Sequence, residues 1–173
     1  MNLLVSDPTN ITYLTGFTSV APQTREAYAL VTPGKTYLFT NSLYTEQAKT
    51  LGFPVIEISR DNPLSHELAR MFRGKRLEFE EADITVSEYN TLKKILTLIP
   101  TRNRIETKRM IKRPDEIENI RKAVKLTDLC FSQVKKFIQP GVTETQLAWE
   151  IESFIRKNGA TLAFSPIVAF NTH

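Results

Sequence analysis

The rhythm of the chain changes once, near residue 102, and that change limits the folds open to it. Before it, short apolar runs alternate with short helical patterns, as in a mixed sheet covered by helices. After it, two long helical patterns lead into a single apolar run, and the chain ends three residues later. Leu3, Leu4 and Val5 close a first strand. Asp7-Pro8 and Asn10 predict a turn, and residues 11–14 read as a second short strand. Gly16 and Phe17 open a polar loop that runs to Arg25. Residues 27–31 and 36–39 flank Pro33-Gly34, the pattern of a hairpin. Asn41 or Ser42 caps a helix that Gly52 stops, and residues 55–58 form a strand. Asn62 and Pro63 start a helix to Met71, and Gly74 separates it from a strand over 76–79. Thr85 or Ser87 caps a helix through Ile95, and Leu98-Ile99 supplies a last strand.

Residues 102–112 are polar and basic, with few anchors for a core. This places a domain boundary at 103/104, with residues 1–103 in one domain and residues 104–173 forming a linker, two helices and a strand. Pro114 starts a helix over 114–139, with Asp115, Glu116 and Glu118 in the first turn, where the helix dipole favours anions. Ile117, Ile120, Val124, Phe131, Val134 and Ile138 recur at helical spacing, Thr127 fills the gap, and Ala123, Leu126 and Cys130 widen the stripe. So wide an apolar face predicts burial. Thr143 and Gln146 form a capping box for a helix over 143–158, whose stripe is Leu147, Ile151, Phe154 and Ile155. Asn158-Gly159 stops it, and residues 164–170 read as a strand covered on both faces.

At 173 residues the chain holds one domain or one and a half. No apolar run reaches membrane-spanning length, and the N-terminus lacks the charged flank and cleavage site of a signal peptide. The single cysteine, Cys130, excludes an internal disulfide, fits the reducing cytoplasm, and reads as a buried thiol. Net charge is +4, with basic residues concentrated between Lys93 and Lys125. No aromatic residues interleave with them and acidic residues follow at once, which is a solvated linker and helix face rather than a nucleic-acid surface. With no GxGxxG or GxxxxGK segment, nucleotide binding has no support.

Residues 10–17, Asn-Ile-Thr-Tyr-Leu-Thr-Gly-Phe, resemble the Asn-x-x-Tyr-Leu-x-Gly-Phe signature of creatinase/prolidase N-terminal domains. Residues 110–123 resemble the helix that opens the catalytic domain of the same proteins. Residues 140–144 and 159–170 are similar to its second helix and first core strand. The resemblance is to the pita-bread metallopeptidases: Xaa-Pro aminopeptidases, prolidases and creatinase. It implies an α/β fold, a ribonuclease-H-like mixed sheet with covering helices, followed by a truncated start of an α+β pita-bread domain. It also implies, for a complete protein, two divalent metal ions (Mn, Co or Zn) held by two Asp, one His and two Glu, which hydrolyse the peptide bond before proline. The pattern is departed from twice. The chain lacks the helix that usually precedes the first strand, and it stops short of the Pro-His step and of every metal ligand; His173 falls just short of that place and takes no role.

Other candidates fare no better as sites. Glu78, Glu80, Glu81 and Asp83 form the densest carboxylate group, but without a His partner they read as a solvated strand end and helix start. Glu144 suits the first turn of its helix, and Glu150 and Glu152 its exposed side. His66 reads as a surface residue, Trp149 as core or interface. Phe17 and Arg25 remain as a substrate rim or partner-subunit contact implied by the resemblance, against plainer readings in which Phe17 fills the core and Arg25 pairs with a local carboxylate. The sequence therefore predicts the N-terminal portion of a cytoplasmic Xaa-Pro metallopeptidase, a hydrolase acting on proline-containing peptides as a homo-oligomer (a dimer), with no nucleic-acid or membrane partner. This portion holds no metal or cofactor of its own and is expected to be inactive. The alternative is a non-catalytic binding or oligomerisation module of the same fold.

Overall fold

A computed structural model describes residues 2–21, 25–72 and 74–170. It divides into two compact units, Met1–Ile111 and Lys112–His173. The first is built on a six-stranded sheet: β1 (Leu3–Val5), β2 (Ala27–Val31), β3 (Thr36–Thr40), β4 (Val55–Glu57), β5 (Arg76–Glu80) and β6 (Thr97–Thr101), in the order β4-β3-β2-β1-β5-β6. β1 runs antiparallel to β2 and parallel to β5, so the sheet is mixed. The hairpin of β2 and β3 closes with the Thr32 N–H donating to the Lys35 carbonyl at 2.9 Å.

Alternation along the strands sends side chains to two cores, because successive residues point to opposite faces. Leu3, Val5, Ala27, Ala29 and Leu38 face one side, with Ile11, Phe17, Tyr44, Ala48 and Ile105. Leu4, Leu30, Phe39, Leu77 and Phe79 face the other, with Leu68, Phe72 and Leu92. Helices α1 (Pro8–Thr15), α2 (Thr45–Lys49) and α5 (Arg104–Met110) cover the first face, and α3 (Leu64–Phe72) and α4 (Val86–Leu92) the second.

In the first unit, α1 and α5 depart from the sequence reading. Residues 11–14 are helical, not a strand. Asp7 is the N-cap, accepting the Asn10 N–H at 2.8 Å, and Pro8 occupies the first helical position, where its missing donor costs nothing. Gly16, at φ +76°, provides the left-handed C-cap. The polar stretch after β6 is helix α5, anchored by Ile105, which is 3% exposed. This helix belongs to the first compact unit, which extends to Ile111.

The second unit contains α6 (Pro114–Val134), a one-turn 3-10 helix (Lys135–Phe137) and α7 (Glu144–Lys157). Thr143 and Gln146 form the expected capping box, and Pro114 takes the first position of α6. Its core is small: Cys130, Val134 and Leu147, with Ile151, Phe154, Ile155, Val168 and Phe170 around them. Ile117, Ile120, Val124 and Phe131 are exposed, against the burial expected of their stripe. One partner helix covers one side of α6 and leaves the rest of a wide face open. Residues 164–170 pair with no strand among the described residues, since all six strands of the sheet lie in the first unit. They run along the helices instead, and the Phe170 N–H donates to Glu144 Oε1 at 2.8 Å.

Candidate functional site: a buried carboxylate hub

The most constrained polar cluster lies where α1, the end of β5 and α5 converge. The N-cap at Asp7 sets the phase of α1 and carries Asn10 inward, where it is fully buried. Its Nδ2 donates to Glu80 Oε1 at 2.7 Å and to Glu106 Oε1 at 2.6 Å. Its Oδ1 accepts from Arg109 Nη1 at 2.8 Å. Both amide hydrogens are thus in use, one on each carboxylate. Glu80 Oε2 accepts the backbone N–H groups of Ser6 at 2.6 Å and Asp7 at 2.8 Å.

The two carboxylates differ in electrostatics. Burial pushes the Glu80 carboxyl above its ordinary range, and the charge of Glu106 adds to this, against the three N–H donors. Burial also acts to raise Glu106, but the Asn10 amide and the Arg109 guanidinium outweigh it and hold Glu106 below the usual range.

The sequence reading of residues 78–83 as a solvated strand end is corrected here, since Glu80 is 7% exposed. The others are each committed to a cation: Glu78 to Arg104, Glu81 to Arg102 and Asp83 to Arg25. Among the described residues no three His, Cys, Asp or Glu side chains come together as metal ligands. The described residues therefore do not supply the donor set implied by the family resemblance.

Phe17 is 4% exposed and packs edge-on to Tyr44 with ring centroids 5.6 Å apart. Arg25 pairs with Asp83 and grips Glu88 through Nη2, at 2.8 and 2.7 Å to its two oxygens. Glu88 also accepts the Tyr28 hydroxyl and caps α4 through Thr85. Burial acts to raise Glu88, yet the Thr85 and Tyr28 bonds and the Arg25 charge hold it low. Phe17 and Arg25 both line a cleft of about 220 Å³ with Ile11, Thr12 and Glu26. The intervening residues 22–24 lie outside the described residues, as does His173.

His66 is exposed, and Trp149, at 65% exposure, is not a core residue. Cys130 is buried, its thiol pushed up by burial, beside an apolar cleft of about 420 Å³ in the second unit. Glu152 pairs with Arg156 on the surface of α7. Sequence reasoning missed the partners of Asn10. A helix-start signal at Asp7-Pro8 was present, and it would have put Asn10 in a first turn rather than a turn or strand.

The order of these parts, a two-faced mixed sheet with a buried Asn10 hub followed by capped helices, defines a two-part protein class that comparison identifies. Residues 2–111 match the creatinase/prolidase N-terminal domain, and residues 118–173 match metallopeptidase family M24. The chain belongs to the creatinase/prolidase N-terminal domain family, followed by the start of an M24 catalytic domain. It is 32% identical to the uncharacterized peptidase YqhT of Bacillus subtilis, over 96% of this chain and 48% of that protein. It is 31% identical to a putative Xaa-Pro aminopeptidase of Mycoplasma pneumoniae, over 96% of this chain and 46% of that protein. Its fold matches the Xaa-Pro dipeptidase from Bacillus anthracis with a TM-score of 0.74 at 26% identity, over 91% of this chain and 44% of that one. The chain spans about half the length of the curated relatives it matches.

Proposed function

We propose that this chain is the N-terminal portion of an Xaa-Pro aminopeptidase- or dipeptidase-type metallopeptidase, which when complete hydrolyses the peptide bond before proline. The observation that carries this is the consecutive match to two families in one order, the N-terminal domain and then M24. In the complete protein two divalent metal ions would be held by residues beyond those described, and the working form would be a homodimer. The exposed apolar face of α6, with Ile120, Val124 and Phe131, is consistent with further covering by protein. No described helix is long and apolar enough to cross a membrane.

The purified 173-residue chain is expected to release no amino acid from an Xaa-Pro dipeptide with added Mn²⁺, Co²⁺ or Zn²⁺. Metal-dependent cleavage by this chain would overturn its inactivity. The second reading, a binding or oligomerisation module, is favoured by the same apolar face. Reading the gene past the His173 codon separates the two. A continuing frame with a Pro-His step, an Asp pair and later Glu residues supports the peptidase, and a stop codon supports the module.

A further inference from the structure

We propose that the Asn10-bridged pair Glu80 and Glu106 is a pH-operated latch that holds helix α5 onto the first unit. Helix α5 has seven residues, too few to persist alone in water. Only Ile105 among them is fully buried. Polar contacts add to this hold: Arg104 of α5 pairs with Glu78 of β5, and Glu106 and Arg109 of α5 both bond to the one amide of Asn10, which is also bound to Glu80. Two carboxylate oxygens thus stand within 2.7 and 2.6 Å of a single nitrogen. With both ionised, like charges meet across one neutral amide, whose oxygen accepts from Arg109, and the Arg109 charge favours the ionised form of Glu106 but is not among the causes that act on Glu80. With one proton on the pair, the like-charge repulsion is relieved.

The groups around the pair come from each neighbouring element. Asp7, before α1, is engaged as the helix cap. Glu81 with Arg102 and Glu78 with Arg104 are internally neutralised ion pairs at the rim of the same pocket or strand. None of these supplies a second positive charge to Glu80 among the described hydrogen bonds and ion pairs. A carboxyl raised in the folded state stabilises it below its ordinary range and loses that contribution as pH rises through the folded value. A carboxyl lowered in the folded state does the reverse, losing its contribution as pH falls through its own folded value. Glu80 is the raised member and Glu106 the lowered one. The latch is therefore tightest in the acid window between them, where the raised member is protonated and the lowered one ionised, and loosens on either side.

Amide exchange of α5 in the full chain tests this, corrected for intrinsic rates and referenced to β2 and β3. In the wild type the opening of α5 is expected to rise from mildly acidic to mildly alkaline pH, as the contribution of the raised Glu80 carboxyl is lost. In Glu80→Gln the absolute protection falls, but the pH dependence over that range disappears. A wild-type profile flat with pH, or a Glu80→Gln profile that keeps the wild-type slope, overturns the latch. Should that variant fail to fold, carboxyl ¹³C shifts of wild-type Glu80 and Glu106 decide. Two coupled steps separated by a one-proton state uphold the latch, and two independent titrations at ordinary values overturn it.

Discussion

Asn10→Leu is expected to destabilise the first unit by about 3 kcal/mol, the cost of leaving buried charged groups without their hydrogen-bond partner. Leucine fills similar volume, so the effect isolates the amide. Glu80 keeps the Ser6 and Asp7 N–H groups but loses the donor to Oε1, and Glu106 loses its Asn10 bond. Arg109 loses its acceptor on Asn10, and the two carboxylates lose the group that separates them. Helix α1 itself should survive, because its N-cap uses the backbone of residue 10 rather than its side chain. Urea denaturation followed by far-UV circular dichroism reports the change. Tryptophan fluorescence would mislead, since the single tryptophan, Trp149, lies in the second unit. A loss below about 1 kcal/mol, the worth of one ordinary hydrogen bond, would show that the hub contributes little.

Phe39→Ala is expected to cost about 3–5 kcal/mol, the range for removing a fully buried phenylalanine from a packed core. Phe39 is 0% exposed on β3, opposite Tyr28 of β2 and Ile56 of β4, and it packs in the cluster that joins the sheet to α3 and α4. Against a total stability of about 5–15 kcal/mol for a domain, this is about a fifth of it or more. Phe39→Leu should recover most of it, because the volume change is smaller and the site stays apolar. A midpoint for Phe39→Ala close to that of the wild type would mean that the second core is loosely packed.

Much of this architecture was legible along the chain because its signals are local. Thr85 and Thr143 each sit three residues before a Glu or Gln, and both capping boxes form. The hairpin around Pro33-Gly34 and the helix start at Pro114 follow the same way. The resemblance at residues 10–17 was read from residue identity, and the family match over residues 2–111 agrees with it. Residues 11–14 read as a strand after an Asp7-Pro8 turn, whereas the same Asp7-Pro8 step starts a helix that Gly16 stops. An N-cap and a left-handed glycine bounding eight residues are a stronger local signal than a four-residue, largely apolar stretch.

By itself, the sequence determined where α4, α6 and α7 begin, where the hairpin turns, and which family the chain belongs to, since caps, turns and apolar periods act within a few residues of one another. Only the tertiary structure decided that Glu80 is buried, that Glu106 meets it, and that the α6 face lies open. Asn10 binds partners 70 and 96 residues away, and no local pattern encodes a hydrogen bond across such a distance. Whether an apolar stripe is covered depends on what packs over it, and that is a property of three-dimensional neighbours, not of the stripe.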